Sequence, residues 1–491
     1  MSDWLMTLLG ALWLGLFPLM QDFSYTRITR AKWISMLALT AVTLLAVLIV
    51  ALTDRRRLRL HPVQGIALMY LGWLVLSGFF GSMADSINSR GQLTVWMGAV
   101  RYEGLATQGC YILVFLLMSL CPARVRQVMN VAAVSVAAYG VIVALQYAGY
   151  NPFGLFPDGL SVFTNYEFQG TIGNIDMLSC WLCLVMPVMM FAFALNRAGL
   201  ACLIGGTVGT LLLLLIKVQS GLIALAAVLA ALVVLMLHRP DARGRGCLAL
   251  GCALAMTTIK LLIGLPWFDE TEGIVFPHAF ALWKLAPMAA GVLLALLAIP
   301  LSRRPGRAVP WRWITLMIVL GAAVATVGLM KLPFPEDSGL WELQEILRGR
   351  PQDGFGSERL GVWRMTLEIS RQHPLFGTGP DTFYYALKQH LYETDQSLWQ
   401  NFDNPHNMLL AVLTGSGVPA LLLYAGLMAA VAVMCLRASR RDPLALALLA
   451  GLAAYLLQGM FTFSICLTAP MFWAVLGMAV SQSCQREVME A

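Results

Sequence analysis

The residues able to do chemistry in this chain are few, and they cluster. One group runs Arg359-Leu360-Gly361-Val362-Trp363, then His373-Pro374-Leu375-Phe376-Gly377-Thr378-Gly379-Pro380-Asp381-Thr382-Phe383, then Pro405-His406-Asn407-Met408 and Gly415-Ser416-Gly417. A second is Gly170-Thr171-Ile172-Gly173-Asn174-Ile175-Asp176, and a third Arg101-Tyr102-Glu103-Gly104. A guanidinium offers a planar fork to phosphate or carboxylate oxygens, and an imidazole moves a proton near neutral pH. Neither type is diagnostic alone. An Arg at a membrane interface commonly snorkels to headgroups, and a His, Asn or Asp at a helix start is commonly a cap or simply solvated. Glu358, Asp381 and Asp403 could also take a proton, but nothing in their spacing suggests the paired carboxylates of a glycosidase. The chain has no phosphate-cradling Gly-rich loop with its Lys, no zinc helix motif and no serine nucleophile elbow, which argues against a nucleotide-driven machine. Cys180 and Cys183 have redox-pair spacing, but they lie alone inside an apolar run and read as packing thiols.

The elements that must position these groups are membrane spans. Of 491 residues, 59% are apolar and 12% charged, against roughly 45–50% and 25% in a soluble domain. That excludes both a soluble globule and a disordered chain. Apolar runs fall near 4–20, 34–52, 62–80, 104–120, 128–148, 174–195, 200–217, 221–238, 247–265, 279–300, 311–330, 406–435, 444–460 and 468–482, which predicts about fourteen transmembrane helices. The first run lacks a basic start and reads as a span, not a cleaved leader. The net charge of +7 could suggest nucleic acid, yet the basic residues sit in short clusters between apolar runs and act as topology signals. With the N-terminus in the cytoplasm, 18 of the 33 Lys and Arg face inward, in clusters at Arg55–Arg59, Arg124 and Arg126, Arg197, Arg239–Arg245, Arg303–Arg312, Arg437–Arg441 and Arg486. The C-terminus is then cytoplasmic too.

Residues 331–405 break the pattern, with 11 acidic and 7 basic residues. They predict one long, partly helical extracytoplasmic loop between transmembrane segments 1–330 and 406–491. Its aromatic residues, among them Trp341, Trp363, Tyr384 and Trp399, are too many for a disordered linker. Ser357 to His373 reads as an amphipathic helix with Leu360, Trp363, Leu367 and Ser370 on one side, and Asp381 can cap a second helix through Tyr392.

Taken together, the motifs resemble the bacterial O-antigen ligase and polymerase family of membrane glycosyltransferases. That family's pattern is an Arg shortly before a Trp, a Gly-rich turn, and a His-Asn opening the next span. Arg359, Trp363, Gly377, Gly379, Phe383, His406 and Asn407 follow it in order and spacing, and the resemblance extends over roughly 95–480. It implies a polytopic all-α, GT-C-like protein of the bacterial cytoplasmic membrane. Its reaction would transfer a glycan from an undecaprenyl-diphosphate carrier to an acceptor hydroxyl on the outer face, with no cofactor and no nucleic acid. The acceptor could be a glycan, a lipid or a wall polymer. Arg359 is then the candidate for the departing diphosphate, and His406 for the acceptor's proton. Asn407, Asn174, Asp176 and Arg101 are candidate substrate contacts. A repeat-unit polymerase is the nearest alternative and a lipid-linked glycan flippase the more distant one. One departure matters: the family commonly has Ser-Arg where this chain reads Gln219-Ser220-Gly221. Lys217, one helical turn before Ser220, either supplies that missing cation or snorkels to headgroups. The chain also has two more spans than the common layout, in the 247–330 region.

Overall fold

The computed structural model describes residues 2–53, 58, 60–147, 150–155, 170–263, 267–269, 273–275, 282–304, 306–336, 338–396, 398 and 402–484. Arg55, Arg56, Arg57, Arg59, Trp399 and Arg486, invoked above, lie outside the described residues. The helices in order are α1 (Ser2–Ala11), α2 (Ile28–Thr53), α3 (Pro62–Phe80), α4 (Thr94–Met97), α5 (Leu105–Leu120) and α6 (Val125–Tyr147). Then come α7 (Ile175–Ala194), α8 (Leu200–Ile216), α9 (Gln219–His238), α10 (Arg243–Ile263), α11 (Ala286–Arg303) and α12 (Trp311–Lys331). The chain continues with α13 (Gly339–Leu347), α14 (Arg359–Gln372), α15 (Phe383–Thr394), α16 (Met408–Ala438), α17 (Leu444–Gly459) and α18 (Ala469–Cys484). Among the described residues the only sheet is an antiparallel pair of three-residue strands, Trp267–Asp269 with Gly273–Val275, and a single antiparallel bridge joins Ile87 to Leu93. The protein is helical, as its periodicity implies.

Nine of the described helices are long and apolar enough to cross a membrane, and shorter apolar helices cover Asp3–Leu19, Leu105–Leu120, Leu200–Ile216 and Leu444–Gly459. The protein is an integral membrane protein. Its centre is α7, buried at every residue from Met177 to Ala194 and packed against α6, α8, α9, α10 and α17. At the other extreme, α12 buries only Ile314. Backbones approach closely where glycines allow it: a Cβ on Gly251 of α10 would lie 2.6 Å from the Gly291 carbonyl of α11.

The first span is broken. Leu12–Leu16 is π-helical and Phe17–Leu19 is 3-10 with Pro18, which leaves carbonyls without helical donors. Lys32 supplies them: its Nζ, fully buried, donates to the Phe17 carbonyl at 2.6 Å and the Pro18 carbonyl at 2.9 Å. Lys32 is thereby enclosed within the break and does not reach a membrane surface.

Residues 331–405 contain α13, α14 and α15, and two expectations about them change. The buried residues of α14 are Gly361, Val362, Met365, Thr366, Ile369 and Ser370; of the expected side Ser370 is buried, Leu360 and Trp363 are half-buried and Leu367 is exposed. Asp381 does not cap α15. Thr382 occupies the cap position without a side-chain bond, and the Asp381 carboxylate reaches the chain before α5 instead.

Candidate functional site

The site is organised by a break in α16. Gly417 takes φ 79° within that helix, with Pro419 two residues on, so carbonyls around 414–416 lose their helical partners. The Gly-rich turn fills the gap. Thr378 N donates to the Thr414 carbonyl at 2.8 Å, Gly379 N to the Gly415 carbonyl at 2.9 Å, and Val418 N to the Pro374 carbonyl at 2.8 Å. From α3, Trp73 Nε1 donates to the Ser416 carbonyl and Ser77 Oγ to the Gly415 carbonyl. Two backbones meeting this way leave no room for side chains: a Cβ on Gly377 would stand 2.4 Å from the Thr414 carbonyl, and one on Gly417 2.1 Å from that of Leu375. Gly377 also holds φ 67°, which an L side chain adopts only at a cost of about 1–2 kcal/mol. The glycine spacing in the sequence is thus the imprint of a turn stitched into a broken helix.

That stitch fixes Arg359 and His406 relative to each other. Trp363 lies one turn along α14 from Arg359, and its Nε1 donates to the Pro405 carbonyl at 2.9 Å, beside His406. The Arg-to-Trp interval therefore brings the first residue of α14 towards the start of α16. His406 itself sits in the left-handed region at φ 48°, its N–H donating to Asn404 Oδ1 at 2.9 Å. Its ring stands edge-on between Phe402 at 5.5 Å and Phe463 at 5.0 Å. Nδ1 is buried and has no hydrogen-bond partner among the described residues. Burial, then the charge of Arg359, push the imidazole down to about 4, so it is neutral at physiological pH. Arg359 is half-buried, and no described residue pairs with its guanidinium.

A pocket of about 150 Å³ adjoins His406. Its mouth holds Arg101, Glu103, Asp381 and Asp403, and its floor is apolar, with Tyr70, Ile112, Val412, Tyr424 and Trp473. Arg101 is already paired: Nε lies 2.6 Å from Asp403 Oδ2, and the guanidinium lies 4.2 Å from the centre of the Phe463 ring. Asp381 Oδ2 accepts from the Ala99 and Glu103 amides at 2.8 and 3.2 Å, and burial pushes this carboxyl up to about 7. Glu103 accepts from the Tyr111 hydroxyl and the Cys466 amide, and burial, with Asp381 nearby, raises it well above the carboxylate range.

Asn407, Asn174, Asp176 and Lys217, the remaining sequence candidates, do not line this pocket. Asn407 and Asn174 are helix N-caps: Asn407 Oδ1 accepts from Leu409 N and Leu410 N, and Asn174 Oδ1 from Asp176 N and Met177 N. Asp176 lies in the first turn of α7, its backbone carbonyl accepting from Gln458 Nε2. Lys217 is an exposed left-handed C-cap of α8 at φ 54°. Burial, then repulsion from Lys260, lowers its ammonium, and no described contact joins it to Arg359 or His406. Sequence reasoning missed Phe463, the ring shared by Arg101 and His406, which lies in the loop between α17 and α18 and has no motif around it. Cys180 and Cys183 are buried free thiols, and no metal-holding cluster occurs among the described residues.

One segment carries Arg359, Trp363, both turn glycines, His406, Asn407 and the broken helix. Residues 280–425 match the O-antigen ligase family. This match supports the family resemblance seen in the motifs, over a narrower stretch than the 95–480 that the motifs suggested. The matched segment does not include Arg101, Asn174, Asp176 or Lys217. No curated protein matches the chain.

Proposed function

We propose that the protein is a glycosyltransferase of the O-antigen ligase type, moving a glycan from an undecaprenyl-diphosphate donor to an acceptor hydroxyl. The observation that carries this reading is an unpaired, half-buried Arg359 held near a neutral, left-handed His406 by the Trp363 anchor. The acceptor oxygen attacks the anomeric carbon, the bond from that carbon to the diphosphate oxygen breaks, and the diphosphate leaves with the electron pair. Arg359 stabilises the charge gathering on the leaving group, an effect worth about 10²–10³ in rate for one well-placed donor. His406 takes the acceptor's proton, worth roughly 10²–10⁴. An imidazole pushed down to about 4 is a weak base in the free protein. A diphosphate beside it offsets the positive field of Arg359 and raises its basicity, so the donor itself prepares the base.

In this reading the protein spans the bacterial cytoplasmic membrane fourteen times, the shorter apolar helices and α18 included. Both termini are cytoplasmic, and 331–405 faces outward. A polymerase would use the same chemistry on a growing chain. The test is the carrier-linked material that accumulates in a deletion strain: complete unattached chains for a ligase, single repeat units for a polymerase, and unchanged carrier lipids against any glycosyl transfer.

A further inference from the structure

The polar groups next to His406 divide by charge. Arg359 lies on the α14 side and does not line the pocket, whereas the pocket mouth carries Glu103, Asp381 and Asp403 against one cation, Arg101, that Asp403 already holds. A diphosphate placed there meets three carboxyl groups, and the one cation in the lining is already paired with Asp403, so its charge finds no partner there. A hydroxyl group suits either protonation state, because a carboxylate accepts its hydrogen bond and a carboxylic acid both accepts and donates. One oxygen is available for it. Asp381 Oδ2 takes the two backbone amides, while no described group donates to Oδ1. Below the mouth the lining turns apolar, through Leu74 and Tyr70 of α3, Ile112 of α5, Val412 and Tyr424 of α16 and Trp473 of α18. The pocket also reaches His406: Phe463 lines it and lies 5.0 Å from the imidazole, and Pro405 and Met408, on either side of His406-Asn407, line it too.

We propose that this pocket is the acceptor site, taking an uncharged, hydroxyl-bearing headgroup with an apolar stem, while the donor's diphosphate stays outside it on the Arg359 side of His406. The inference rests on the glycosyltransferase reading for the words donor and acceptor, but its chemistry is a binding preference and is tested as one. Asp381 is then a specificity-determining residue. Asp381→Asn can keep an oxygen on the Ala99 and Glu103 amides, and it presents an NH₂ donor to the pocket in place of an acceptor.

The experiment uses the full-length protein in lipid nanodiscs with two photoreactive probes, an alkyl β-glucoside and an alkyl phosphate, each with a diazirine in the chain, and maps adducts by mass spectrometry. The glucoside should label peptides of α3, α16 and α18, and the labelling should fall at least tenfold in Asp381→Asn and in Ala411→Phe, which fills the floor. It should persist in Arg359→Ala, where transfer is lost. The alkyl phosphate should label α14 in preference to the pocket and do so equally in both pocket variants, which shows that they are folded. Pocket labelling by the phosphate as strong as by the glucoside, or glucoside labelling unchanged in both variants, overturns the proposal. If pocket labelling behaves as stated but no lipid-diphosphate glycan is ever consumed, the glycosyltransferase reading fails and the pocket chemistry stands.

Discussion

His406 carries opposed demands: it must be neutral to accept a proton, and it must be basic enough to hold one. Burial and Arg359 push it down to about 4, so in the free protein it gains a proton only as the pH falls below about 5. The His406 limb of a kcat/KM profile should therefore sit near 4 and not near 6.5, because kcat/KM reports the free enzyme. Arg359→Gln removes a positive neighbour and should move that limb upward while lowering the rate by about 10²-fold or more; an unmoved limb would separate the two residues. Arg359→Ala and His406→Ala should each abolish transfer with the protein still inserted and accumulating, since both residues are only half-buried and lie outside the membrane-spanning helices. Lys217→Gln should retain near-normal transfer, because Lys217 is exposed and its interacting charge is Lys260. A tenfold loss, about 1.4 kcal/mol of barrier, would put Lys217 at the diphosphate after all. At this scale the sequence revealed which residue types mattered through their spacing. It did not reveal that Arg101 is held by Asp403, since partners 302 residues apart leave no local pattern.

The stitched break of α16 is the element that makes the site rigid. Gly377→Ala adds a Cβ against backbone atoms at 2.4 to 2.6 Å and strains φ 67°, so it should lower stability by about 2 kcal/mol or more, seen as an earlier thermal midpoint in detergent. Gly426→Ala, on the same helix with nothing within 4 Å of the added carbon, should be neutral or gain about 0.5–1 kcal/mol. Equal effects would refute the backbone-contact account. The Gly-rich turn and the Gly415-Ser416-Gly417 run were both legible in the sequence, but their pairing was not, because a long apolar run reads as one span whether or not it is broken. The face of α14 was misread for a related reason. Thr366 buries its hydroxyl by donating to the Val362 carbonyl at 2.6 Å, so a polar residue occupies a core position that periodicity assigns to an apolar one; Ser370, on the expected side, is buried in the same way.

Across the whole molecule, the positive-inside bias predicts that reporters fused near Asp241 and near Gln396 report opposite sides of the membrane; the same side at both would overturn the topology. Apolar runs located the helices well, because burial in lipid or in protein demands the same composition. For that reason they could not tell which helices face protein. The contrast between α7, buried along nearly its whole length, and α12, with only Ile314 buried, governs how the chain can drift over generations. In α12 one aliphatic residue can replace another freely, because lipid tails fit any apolar shape; only polarity is screened. In α7 each side chain is matched to fixed neighbours, and a Leu→Ala change there costs about 2–5 kcal/mol. Saturation mutagenesis should thus show two membrane helices of similar composition under different selection, one for solubility in lipid and the other for shape.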